Sequence, residues 1–153
     1  MDINLLKKVS LFEGLTSEQL EKVAGIAKER AFAAGDRVFK EGERGDEFFV
    51  IVSGKVRISK NVPGIGEEAL AILEPGSYFG EMALFDDTPR SADAFAQIPA
   101  SVAVIRRDQL DTLMFTDKDI GYILLWTFVR TLSDRLRETN DKIKAFFAMS
   151  ARF

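Results

Sequence analysis

A chain of 153 residues with 46% hydrophobic content is one globular domain, large enough for a core and too short for two comfortable ones. It contains no cysteine and no histidine, which excludes disulfides, thiolate or imidazole metal sites, cysteine nucleophiles and any triad built on an imidazole base. A net charge of −3 excludes attraction of nucleic acid by a long-range positive field, so any anionic ligand has to be held locally.

The opening Met-Asp-Ile-Asn-Leu-Leu-Lys-Lys lacks the basic, apolar, small-residue order of a signal peptide. The strongest apolar run, 120–129, is too short to span a bilayer, and a soluble, cytoplasmic protein with no membrane partner is expected. A short turn or helix falls near residues 4–9. Thr16 then precedes Ser-Glu-Gln, so it caps a helix over about 17–30, with Gln19 reaching back and Leu15 stapling to Leu20.

From residue 34 to 107 the texture changes to short β-branched and aromatic runs punctuated by glycine, the pattern of strands and tight turns. Strands are predicted over 37–41, 47–52, 55–60, 68–73, 92–97 and 102–107. Runs this short and evenly spaced suggest an antiparallel barrel or jelly roll. Asp108 reads as the N-cap of a helix through Leu110, Leu113 and Met114, and Thr116 or Asp117 as the cap of a long one over about 118–148. The expected architecture is α+β, mainly β. N-terminal helices (1–33) and C-terminal helices (108–153) flank an antiparallel β-roll (34–107), and the helices pack on the roll as one domain.

The segment 79–92, Phe-Gly-Glu-Met-Ala-Leu-Phe-Asp-Asp-Thr-Pro-Arg-Ser-Ala, carries the most specific chemistry. Gly80 lets a ligand approach the backbone, and the Glu81 carboxylate suits hydroxyl donors while repelling phosphate. Arg90 offers a two-pronged fork for a phosphate, stiffened by Pro89, with a hydroxyl and an amide beside it on Ser91. These residues imply a ligand that carries a phosphate and a sugar close together. Spacing alone leaves a second use open, in which Glu81 and Arg90 simply pair with each other or with surface charges. Asp86 and Asp87, adjacent acids before Thr-Pro, read as a solvated turn rather than a metal site.

This segment closely resembles the phosphate-binding cassette of the cyclic nucleotide-binding domain family, found in catabolite-activator-type regulators, cyclic-nucleotide-dependent kinases and cyclic-nucleotide-gated channels. The resemblance extends in order through Val9-Ser-Leu-Phe-Glu-Gly-Leu-Thr, Gly35-Asp-Arg-Val-Phe-Lys-Glu-Gly-Glu, Phe49-Val-Ile-Val-Ser-Gly-Lys-Val and Leu73-Glu-Pro-Gly-Ser-Tyr-Phe-Gly-Glu. It implies that Gly80 and Glu81 hold the ribose 2′-hydroxyl and that Arg90 binds the exocyclic oxygens of the cyclic phosphate. Ser91 and the amide of Ala92 complete those contacts, and the amides of Met82 and Ala83 lie near. It also points the base toward Ile58, Leu70, Leu73 and Phe79, under a lid from the C-terminal helix that includes Arg135. A cyclic monophosphate carries one negative charge, which one arginine neutralises. Ser91 is compatible with either base; the expected ligand is cyclic AMP, with cyclic GMP as the alternative and no metal.

Tyr122, Leu125, Val129, Leu132, Leu136, Thr139, Ile143 and Phe146 follow an alternating three-and-four spacing along the last helix. Two uses fit it, packing on the chain's own roll or a homodimeric coiled coil. Ile123, Trp126 and Phe128 make the first half apolar on several sides, which predicts burial there. Phe146, Phe147 and Phe153 are expected to dock on a partner or on the roll. The expected readout is that the ligand draws Arg135 with Leu132 or Leu136 over the base and orders the helix.

Only a few residues follow Ala148, so no helix-turn-helix and no DNA partner are expected, and the effector is a separate, unknown protein. The leading reading is a stand-alone cyclic-nucleotide-binding regulatory module rather than an enzyme. A small β-roll enzyme would have only carboxylates to work with, and a ligand-free interaction or dimerisation module is the remaining alternative.

Overall fold

The glycine-punctuated middle of the chain folds as two antiparallel four-stranded sheets packed face to face, with the helices against the outer side of one of them. The computed structural model describes residues 2–151, and Phe153 lies outside them. The chain begins with α1 (Ile3–Leu6), a 3-10 turn (Ser10–Phe12) and α2 (Ser17–Ile26). The strands are β1 (Ala27–Phe32), β2 (Arg37–Phe39), β3 (Glu47–Ser53), β4 (Val56–Val62), β5 (Gly66–Leu73), β6 (Tyr78–Phe79), β7 (Asp93–Ala96) and β8 (Ala100–Arg106). A 3-10 helix (Glu81–Leu84) separates β6 from β7, and α3 (Arg107–Thr116) and α4 (Lys118–Ser150) follow. The fold is α+β, an antiparallel β-roll with short N-terminal helices and a long C-terminal helix.

Thr16 builds the expected reciprocal cap: its hydroxyl accepts from the Gln19 amide at 3.2 Å, and its own amide donates to the Gln19 side chain at 2.9 Å. The helix ends at Ile26, however, not Arg30, and residues 27–32 become a strand. Ala, Lys, Glu and Arg favour a helix intrinsically. Here they pair with β8 from Ala27 opposite Ile105 to Phe32 opposite Ala100, a ladder that local propensity cannot reveal. β1 is the edge of the sheet β1-β8-β3-β6, and Lys28, Glu29 and Arg30 give that edge the charge that discourages pairing with other chains.

β3 is buried at four successive positions because both its faces are covered. Phe48 and Val50 face the helical layer, where they join Leu6, Val9, Phe12, Leu20 and Leu110. Phe49 and Ile51 face the second sheet, β2-β7-β4-β5, with Val56, Phe79, Ala94, Val102 and Val104.

The C-terminal helices depart from expectation in two respects. Asp108 is not the N-cap of α3; Arg106 holds that position, and Asp108 sits in the first turn, bridging back to Arg106 at 3.2 Å. Asp117 does cap α4, accepting from the Ile120 amide at 3.2 Å and pairing with Lys22 at 2.8 Å. The face of α4 that packs on the domain is Ile120, Gly121, Leu124 and Phe128. The three-and-four seam from Tyr122 to Phe146 lies outside it, with Tyr122, Val129, Leu136 and Phe146 exposed. Trp126 is exposed as well, against the Arg130 guanidinium, so burial of the first half is confined to one stripe. Phe146 and Phe147 touch each other and are exposed. No helix among the described residues is long and apolar enough to cross a membrane.

Candidate ligand pocket

The concave side of the second sheet and the 79–92 segment enclose a cavity of about 440 Å³. Gly80 opens the segment in a left-handed backbone (φ 74°) that a side chain would strain, and a Cβ there would come within 2.9 Å of Arg90 Nη1. The chain then turns directly into the 3-10 helix, which buries Glu81 in the wall of the cavity. The tight turn uses the Ala83 amide internally, donating to the Gly80 carbonyl at 3.3 Å.

Glu81 and Arg90 are 7% and 8% exposed, and among the described residues no ion pair joins them. Each has other partners. Arg90 donates from Nη1 to the Gly80 carbonyl at 3.1 Å and from Nη2 to the Glu47 carbonyl at 2.8 Å, and its Cζ lies 4.3 Å from the Phe39 ring. A guanidinium has five N–H groups, so three remain for a ligand. Burial lowers the Arg90 pKa against the opposing field of Glu47, Asp46, Glu43 and Glu81, yet arginine starts so high that it stays charged.

Glu81 accepts from Arg135 Nη1 at 2.5 Å, which brings the middle of α4 into the pocket. Desolvation pulls the Arg135 pKa down, but the hydrogen bond and charge of Glu81 outweigh it and the net shift is upward. Two further contacts tie the segment to the helices. The Phe85 and Phe128 rings stack at 3.9 Å, and Arg107 donates to the Asp86 carbonyl at 3.0 Å and the Asp87 carboxylate at 2.8 Å. Asp86 accepts from the Thr88 amide at 2.9 Å, so both acids serve the turn.

Of the residues expected from sequence, Ile58, Leu73 and Phe79 line the cavity wall. Gly80, Glu81, Met82 and Ala83 line it from the 3-10 helix, and Arg90, Ser91, Ala92 and Arg135 complete the set. Leu70 does not. It is the extra residue of a β-bulge, since Ile58 pairs with Ala71 and Ser59 with Ala69, and its side chain is 59% exposed. Leu132 and Leu136 also lie outside the cavity; on α4 they are exposed, and only Arg135 between them is long enough to reach it. Residues missed from sequence are Phe39, Ala71 and Tyr78 on the apolar wall and Asp86, Thr88 and Pro89 at the mouth. Ala71 was accessible by strand parity, two positions from Leu73. Phe39 carried no local signal, because its neighbour Arg90 is far away in sequence.

A roll with one buried carboxylate and one buried guanidinium set apart on the same apolar cavity is chemically suited to a small ligand with both hydroxyl and anionic groups. A family model described as the cyclic nucleotide-binding domain matches residues 29–117. The chain belongs to the cyclic nucleotide-binding domain family, a ligand-binding regulatory family related to kinase regulatory regions and catabolite activators.

It is 39% identical to the cGMP-dependent protein kinase egl-4 of Caenorhabditis briggsae over 129 residues, 78% of this chain and 17% of the kinase. It is 32% identical to a CRP-like cAMP-activated global transcriptional regulator of Mycobacterium tuberculosis over 139 residues, 91% of this chain and 60% of the regulator. The chain thus spans 60% or less of these curated relatives. Among solved structures, the N-terminal domain of a transcriptional regulator from Streptomyces coelicolor A3(2) superposes with a TM-score of 0.80 at 31% identity, covering 91% of this chain and 94% of that one.

Proposed function

We propose that this chain is a cyclic nucleotide sensor that binds cyclic AMP in preference to cyclic GMP and reports occupancy through α4. Glu81 takes the ribose 2′-hydroxyl, Arg90 the exocyclic phosphate oxygens with Ser91 and Ala92 beside it, and the wall of Ile58, Leu73 and Phe79 the base. The observation that carries this reading is the separation of Glu81 from Arg90: each is buried, each faces the same cavity, and neither neutralises the other. The preference for cyclic AMP leans on the longer alignment, with a regulator whose name records activation by cAMP.

Arg135 links the Glu81 carboxylate to α4, and the Phe85–Phe128 stack links the same segment to the buried stripe of that helix. A ligand that prefers one arrangement of these contacts shifts the population of α4 positions. The receiver is an effector that these residues do not include, and the exposed seam from Tyr122 to Phe146 supports pairing with a second copy of the helix. Isothermal titration with cyclic AMP, cyclic GMP and the corresponding 5′-monophosphates tests the reading. Cyclic AMP should bind most tightly and the linear dianions weakly; absence of heat and of any thermal shift with both cyclic nucleotides would sink it.

A further inference from the structure

The Arg90 guanidinium occupies a slot built by two residues that precede it by most of the roll. On one side is the Phe39 ring, 4.3 Å from Cζ, itself braced by Phe49 at 5.8 Å and Phe79 at 5.9 Å. Against it also lies the backbone of Gly45, so close that a Cβ there would stand 2.2 Å from both Cζ and Nε and 2.5 Å from Nη2. Gly45 does not have the left-handed backbone of Gly42 or Gly80. Backbone conformation therefore does not require glycine at this position; what a Cβ would do is push the guanidinium out of its place. The Gly80 and Glu47 carbonyls complete the slot by accepting from Nη1 and Nη2.

A planar cation can be aimed in a way that a flexible point charge cannot. We propose that Phe39 and Gly45 are positioning residues for the phosphate-binding arginine. Together they fix the plane of Arg90 so that its remaining N–H groups meet the ligand's phosphate oxygens without reorganisation. The proposal rests on the reading of Arg90 as the phosphate residue. It also extends the site to Gly45, which is not part of the cavity wall.

The test is calorimetry with cyclic AMP and cyclic GMP on the full chain, comparing wild type with Gly45→Ala and Phe39→Leu. Both substitutions are repeated in an Arg90→Lys background, and thermal melts accompany each. Lysine keeps the charge and has no plane to aim, so the slot has nothing to act on there. Misplacing the guanidinium should cost Gly45→Ala at least about tenfold in affinity. Loss of the ring should cost Phe39→Leu about fivefold. In the Arg90→Lys background each effect should shrink to less than about twofold, since no oriented cation remains to be disturbed.

Phe39 also borders the cavity, and direct contact with the ligand predicts instead that its effect survives undiminished beside lysine. That outcome, or wild-type affinity in a folded Phe39→Leu, overturns the slot while leaving the nucleotide reading intact. If Gly45→Ala does not fold, Phe39→Leu decides alone. Arg90→Lys binding as tightly as wild type would instead overturn the phosphate role of Arg90, and the slot with it.

Discussion

Removing the Arg90 side chain is the most direct perturbation of the pocket, and the structure sets the size of its effect. Arg90 is 8% exposed, so the guanidinium that would meet a phosphate is itself buried. Truncating one partner of a buried, charged, hydrogen-bonded pair costs roughly 2–5 kcal/mol. At 1.4 kcal/mol per tenfold, Arg90→Ala should weaken cyclic nucleotide binding by about 30-fold to a few thousand-fold. Folding should suffer as well, because the carbonyls of Gly80 and Glu47 lose their donors and the Phe39 ring loses its cation. Two hydrogen bonds and one cation–π contact amount to about 2–3 kcal/mol, reduced by water entering the open cavity. The assay is therefore titration calorimetry on protein whose melting transition has been checked at the titration temperature. A folded Arg90→Ala with unchanged affinity refutes the reasoning outright.

The other predictions concern α4. Cyclic nucleotide should raise hydrogen-exchange protection over residues 130–148, and Arg135→Ala should abolish that change because it cuts the link to Glu81. Equal protection with and without nucleotide in the wild type contradicts the readout. Asp117 gives a pH signature: its hydrogen bond to Lys22, followed by the one from the Ile120 amide, holds its pKa below the ordinary value. A depressed folded pKa means stability that is present above the unfolded value, about 3.9, and lost as pH falls through the folded one. Asp117→Asn can still cap the helix but cannot pair with Lys22. It should melt below wild type at neutral pH, with the gap closing in strong acid; a gap independent of pH counts against the ion pair.

The contrast between what could be read in the chain and what could not follows the range of each interaction. Thr16 with Gln19, Asp117 with Ile120, and Gly80 with Glu81 are partners within a turn of one another, so the residues themselves announce the geometry. The glycine spacing similarly announced a roll, because turns recur wherever a short strand must reverse.

Longer-range partners left no such trace. Residues 27–32 look helical alone and are strand only because β8 offers them a ladder. The family resemblance points to Leu70 as part of the pocket, but a bulge opposite Ile58 and Ser59 turns it outward. On α4 the heptad seam was the more regular apolar pattern, yet the domain buries Ile120, Leu124 and Phe128, the stripe that meets Phe85 and the helical core.

By itself the sequence determined a β-roll flanked by helices, the absence of imidazole and thiol chemistry, and the Glu81 and Arg90 pair as the chemically specific element. Tertiary structure decided that those two charges stay apart, because burial among the carbonyls of Gly80 and Glu47 satisfies Arg90 and Arg135 satisfies Glu81. It also decided which aromatic ring and which glycine hold the arginine in place. Hydrogen-bond satisfaction and close packing are properties of groups brought together by the whole fold, and sequence neighbours cannot encode them singly.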